Sequence, residues 1–206
     1  MSKFNENVKD LFENWNTIPN WLCFVRIALI PVFSVLFIKE QYIAAFITMI
    51  VAALTDVFDG KIARKRGLVT NFGKFLDPLA DKVLVIAALT VFVDLNDVNM
   101  GAIPLIIITA REFMVSGLRL LAADSGVVVA AGIWGKLKTA FTMVAIVAIL
   151  FWLSLCGDFS LSLSDSLVKA VDNVVIPILI WISTILTVVS GVVYLKGYWH
   201  LIDSDK

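Results

Sequence analysis

The chain has 206 residues, 60% of them hydrophobic and only 17% charged, with a mean hydropathy of +0.92. A soluble domain is about 45–50% apolar and about 25% charged and avoids broad exposed apolar patches, so a water-soluble fold and a disordered chain are both excluded. Seventeen basic residues balance seventeen acidic ones, which leaves no global field to capture nucleic acid.

Met1 to Asn16 carries Phe4, Val8, Leu11, Phe12 and Trp15 at helical spacing among acids. This predicts an amphipathic helix lying in the interface, and no cleavable leader. Six apolar runs follow, at Ile18–Ile38, Tyr42–Ala63, Phe75–Val93, Ala102–Ala123, Trp134–Cys156 and Val174–Leu195. Each is about the 20 residues that a bilayer span needs, and none alternates as a membrane strand does. The expected fold is therefore all-α: a polytopic membrane protein with six transmembrane helices plus the N-terminal interfacial helix. Gly157–Asn173 reads as an outer loop. Cys23 and Cys156 are too few for a disulfide framework and are expected to be packed thiols.

Six crossings put both termini on one side. The connections on that side hold Arg64, Lys65, Arg66 and Lys74, then Arg119, Lys136 and Lys138. The opposite connections are nearly devoid of bases. The positive-inside rule makes the basic side cytoplasmic.

Spans two and three hold an anomaly. Asp56 and Asp59 are three residues apart, and Asp77 and Asp81 four, so each pair shares one helix face. An acid at the centre of a membrane helix costs about 2.5–3.5 kcal/mol, and such residues face a bundle interior or an aqueous cavity. Asp56 lies about 12 Å along its helix from Arg64. The loop between the spans is short, so the two acid pairs are expected to face each other from antiparallel neighbours. Four clustered carboxylates cannot all stay ionised without cations, and oxygen donors suit Mg²⁺ or Mn²⁺. Two such ions would balance four negative charges and would clamp an in-line phosphoryl displacement. Gly60, Ala63 and Gly73 leave room for a close approach, and Arg64 offers a planar phosphate donor.

The full pattern, Asp56-x2-Asp59-Gly60-x2-Ala63-Arg64-x8-Gly73-x3-Asp77-x3-Asp81, resembles the signature of the CDP-alcohol phosphatidyltransferases, with eight fixed positions over 26 residues. The resemblance implies a membrane enzyme of six helices over 17–200, commonly a homodimer, between the interfacial helix at 1–16 and a cytoplasmic tail at 201–206. It implies transfer of a phosphatidyl group from CDP-diacylglycerol to an alcohol with release of CMP, assisted by two divalent cations. By position, Asp56, Asp59, Asp77 and Asp81 are the implied metal ligands and Asp81 also the implied general base. Asn20, Asp56, Gly60, Ala63, Arg64 and Gly73 are the implied CDP-binding residues. The enzyme would sit in the cytoplasmic membrane, among its lipids, with active site and termini facing the cytosol. One departure is Cys23, where related enzymes often carry threonine.

Span four adds Arg111, Glu112 and Arg119, and span five opens with Lys136 and Lys138. Several cations suit an acceptor that itself carries phosphate. Ala110–Arg119, Gly135–Thr139 and the opening Ile18-Pro19-Asn20 with Arg26 resemble the branch of the family whose acceptor is sn-glycerol 3-phosphate. Arg111, Arg119, Lys136 and Lys138 are then the implied acceptor phosphate-binding set. Two alternatives stay open: the same chemistry with phosphatidylglycerol, serine or inositol phosphate as acceptor, and a divalent-cation transporter. Against the transporter, the acids cluster towards one side and no acidic ladder continues outward.

Overall fold

A computed structural model describes residues 16–66, 70–95, 100–124, 132–159 and 163–202. The interfacial helix expected over 1–16 lies, apart from Asn16, outside the described residues, as does the tail from 203 onward. Among the described residues the secondary structure is helical throughout, with no strand. The chain divides into two compact units, Met1–Val91 with Leu150–Ser160 and Phe92–Ile149 with Leu161–Lys206.

In the first unit, α1 (Ile18–Ile38) starts after an extended Thr17, and Pro19 in its first turn loses nothing by lacking an N–H. Its buried residues are Pro19, Asn20, Cys23, Arg26, Ile30, Phe33 and Phe37, which from Asn20 onward recur every three or four positions. They form one stripe, while Trp21, Val25, Val32 and Val35 stay exposed. The helix closes as Gln41 N–H donates to the Leu36 carbonyl at 3.0 Å, with Glu40 at φ 58°. Glycine is the residue usually found in that left-handed position. The chain then returns in α2 (Tyr42–Arg66), which packs along α1. Ala45, Met49, Ala52 and Asp59 are its buried positions, and the two alanines let helix backbones come close.

α3 (Asn71–Val93) is capped by Thr70, whose Oγ1 accepts the Gly73 N–H at 3.0 Å. It joins α1 through a cluster of Cys23, Leu76 and Ala80, with Phe24, Ile27 and Phe72 packed against it. The last turns of α5 (Ile133–Cys156) complete this unit. Phe151 meets Phe46 at 5.9 Å between ring centroids, and Asp158 accepts the Ile43 N–H at 2.5 Å.

The second unit contains α4 (Ala102–Asp124), most of α5, α6 (Asp165–Ala170), a π turn (Val171–Val175) and α7 (Ile176–Ile202). α4 packs on α7, closely at Gly191: a β-carbon there would stand 3.2 Å from Arg111 Cγ and 3.3 Å from Met114 Cε. Thr142 on α5 and Ser183 on α7 share a hydrogen bond of 2.5 Å. Tyr198, at φ −122° and ψ 16°, interrupts α7 near its end.

Five of the six expected runs coincide with helices to within a few residues. The sixth is longer than expected. Gly157–Asn173 is not all loop, because Ser164 is extended, Asp165 opens α6, and the π turn carries the helix on into α7. An acid in the first turn, at the positive end of the helix dipole, favours that early start. Among the described residues, four helical segments are long and apolar enough to cross a membrane: Ile18–Ile38, Tyr42–Ile62, Ile133–Cys156 and Asp165–Trp199. α3 and α4 are 23 residues each but carry Asp77, Asp81 and Lys82, and Arg111, Glu112 and Arg119. Those charges interrupt their apolar stretches, whereas the charges of α2 all fall in its C-terminal half, from Asp56 onward. Apolar helices with outward-facing Val, Ile, Phe and Trp mark a membrane protein.

Candidate active site

The acids of α2 and α3 meet on α1. Arg26 is fully buried and projects its guanidinium among them. One terminal nitrogen, Nη1, donates to Asp81 Oδ1 at 2.5 Å. The other, Nη2, donates to Asp59 and lies 3.4 Å from Asp56 Oδ1. Cys23, one turn earlier on the same stripe, donates its thiol hydrogen to Asp77 and stands 3.9 Å from Asp59 Oδ2. All four acids expected to cluster are thus gathered round two side chains of one helix. They differ in depth: the Asp59 side chain is 3% exposed, whereas Asp56 and Asp81 are 48% and 47% exposed. The cluster has a closed floor and an open rim.

Asn20 and Gly73 form one wall. Asn20 is buried, its amide nitrogen donates to Thr70 Oγ1 at 3.1 Å, and Thr70 in turn caps α3. A β-carbon on residue 73 would lie 2.6 Å from Asn20 Oδ1, so only glycine fits that approach. Gly60 is half-buried on α2. Ala63 and Arg64 are in the same helix, but their side chains lie outside the described residues.

In the second unit, Arg111 is buried on α4 and donates to Ser190 Oγ at 2.5 Å and to Glu112 Oε1 at 3.3 Å. Glu112 also accepts from the buried Lys138 of α5. Arg119 donates to the Tyr194 hydroxyl oxygen at 3.0 Å, which accepts the Gly132 N–H at 2.9 Å as well. The Arg111 and Arg119 guanidinium carbons each lie 5.5 Å from the centre of the Tyr194 ring, within cation–π range. Three of the four expected phosphate-binding residues are therefore drawn together by Glu112 and Tyr194. Lys136, two positions from Lys138 on the same helix, is exposed on another side.

Sequence reasoning missed the parts played by Thr70, Ser190 and Tyr194. A signal was present for Ser190: it continues Ser183, Thr184 and Thr187 at helical spacing, polar positions in a run otherwise apolar. The part played by Arg26 among the acids was visible only as an arginine interrupting span one, a charge that must find a partner in such a place. Neither Cys23 nor Cys156 is in a disulfide, as expected.

The donor set fits hard divalent cations. Carboxylates from two helices converge, and a cationic group, the Arg26 guanidinium, already occupies the space among three of them. Cys23 Sγ and one oxygen each from Asp59 and Asp77 also lie within 4.8 Å of one another.

Residues 16–193 match the family model for CDP-alcohol phosphatidyltransferase, and the chain belongs to that family. It is 38% identical over 204 residues to the CDP-diacylglycerol–glycerol-3-phosphate 3-phosphatidyltransferase of Bacillus subtilis (strain 168), covering 92% of this chain and 98% of that protein. The protein of the same name from Rickettsia typhi is 38% identical over 183 residues, with 87% and 96% covered. That from Haemophilus influenzae is 40% identical over 139 residues, with 65% and 75% covered.

Proposed function

We propose that this protein transfers the phosphatidyl group of CDP-diacylglycerol to sn-glycerol 3-phosphate, giving phosphatidylglycerophosphate and CMP. The observation that carries the chemistry is the convergence of Asp56, Asp59, Asp77 and Asp81 at a rim open on one side and closed beneath. The names of the similar proteins support the acceptor.

In this reading Asp56, Asp59, Asp77 and Asp81 hold two divalent ions, Mg²⁺ or Mn²⁺. When bound, these ions neutralise the diphosphate and the departing CMP oxygen. Asn20, Asp56, Gly60, Ala63, Arg64 and Gly73 receive the CDP moiety, and the tight Gly73–Asn20 approach supports a backbone wall there. Asp81, on the open rim, takes the proton of the acceptor hydroxyl as its oxygen bonds to the phosphatidyl phosphorus. The phosphorus–oxygen bond to CMP breaks in the same displacement. Arg111, Arg119, Lys136 and Lys138 hold the acceptor phosphate, with Tyr194 and Glu112 orienting the first, second and fourth of these.

The membrane domain spans 17–200 and crosses six times, counting α3 and α4, whose charges then face the protein interior. Residues 1–16 lie as an interfacial helix and 201–206 as a tail. The basic connections support placing both termini and the active site on the cytoplasmic side of the cell membrane. The working form is a homodimer, and nucleic acid is not a partner.

The test is to give purified protein CDP-diacylglycerol with each acceptor in turn and to measure CMP. Mg²⁺-dependent release is expected with glycerol 3-phosphate. Release only with serine, inositol phosphate or phosphatidylglycerol would reassign the acceptor while leaving the chemistry. Release that persists in excess EDTA would refute the metal role.

A further inference from the structure

Arg26 is a fully buried cation held by the same carboxylates that are assigned to metal, and the transfer just described gives it no task. Its guanidinium contacts Asp59, Asp81 and Asp56, which come from two different helices. Four clustered carboxylates repel one another unless cations lie among them. Out of reach of water, one guanidinium relieves much of that repulsion and fixes the positions of three acids. The charge count then changes when two divalent ions enter. Their four positive charges already match four carboxylates, and Arg26 becomes a surplus cation pressed against them.

We propose that Arg26 is the resident counter-ion of the acid cluster: it assembles Asp56, Asp59 and Asp81 before metal arrives and yields its contacts to the divalent ions. It is a positioning residue that sets the affinity of the site for metal by competing for the same oxygens. The inference rests on the metal role proposed above and deepens it, because it makes metal binding an exchange of cations and not the filling of a bare acidic nest.

The experiment measures Mn²⁺ binding to the purified full-length protein in detergent, from the free-Mn²⁺ electron paramagnetic resonance signal, alongside thermal midpoints in EDTA and in Mn²⁺. Arg26→Gln removes the competing charge and Arg26→Lys keeps it. The Gln variant is expected to bind Mn²⁺ about tenfold more tightly than the unsubstituted protein, to melt lower in EDTA, and to gain more from Mn²⁺. The Lys variant is expected to stay within about threefold of the unsubstituted affinity. A Gln variant that folds only in Mn²⁺, beside a Lys variant that folds in EDTA, is the same result in stronger form. Unchanged or weaker Mn²⁺ binding by Arg26→Gln overturns the proposal. So does equal tightening in both variants, or a need for Mn²⁺ to fold in both. Failure of the unsubstituted protein to bind Mn²⁺ would instead remove the metal site itself, and this inference with it.

Discussion

A methyl group is a sensitive probe of the wall between Asn20 and Gly73. The β-carbon of a Gly73→Ala variant would sit 2.6 Å from Asn20 Oδ1. Asn20 has little freedom to retreat, because it is buried and bonded to the residue that caps α3. Overpacking of this kind costs about 1–3 kcal/mol. Gly73→Ala is expected to lower the thermal midpoint and most of the activity, and Asn20→Ala in the same chain to restore much of the lost stability. Additive losses in the double variant would show that the two residues do not press on each other. At this scale the acids were legible in the sequence, because a carboxylate in an apolar helix is costly and its spacing fixes its face. The groups that meet them were less so. Cys23, Thr70 and Tyr194 are ordinary residues in their own segments, and only the packing of distant helices gives them partners.

Among the helices, the end of α1 is the least comfortable. Glu40 takes φ 58° in the three-residue connection to α2, a conformation that costs a non-glycine residue about 1–2 kcal/mol. Glycine would avoid that strain but gives back part of the gain through its freer unfolded state. Glu40→Gly is therefore expected to stabilise the protein by about 0.5–1 kcal/mol, read as a raised denaturation midpoint in detergent. A lowered midpoint would mean that the Glu40 side chain makes a stabilising contact. Helix boundaries were legible wherever an apolar run met a turn residue or a charge. The early start of the last helix was not, since Asp165, Lys169, Asp172 and Asn173 interrupt the apolar pattern and the segment read as an outer loop. They become helical because Asp165 suits a helix start and the segment continues directly into α7.

For the whole molecule, the proposed orientation has a direct check. With Cys23 and Cys156 replaced by alanine, a cysteine at Lys65 is expected to react with a membrane-impermeant maleimide only when the cytoplasmic face is open, and one at Asp94 from the opposite face. Both reacting from one side would remove a crossing from the proposed six. The class, a helical membrane protein, was legible from hydropathy, because lipid constrains composition more severely than water does. The balance of charges within each unit was not, since it depends on which helices touch. The segment from Asp165 to Trp199 is 35 residues long, and at 1.5 Å per residue it measures about 52 Å. The hydrocarbon layer is about 30 Å thick. This rod overshoots its slab, so it leans or protrudes, and a thinner or thicker bilayer changes the lean. Ser190 and Tyr194 ride on that segment with the arginines they hold, so under the proposed acceptor role of those arginines the acyl-chain length of the surrounding lipid bears on acceptor capture.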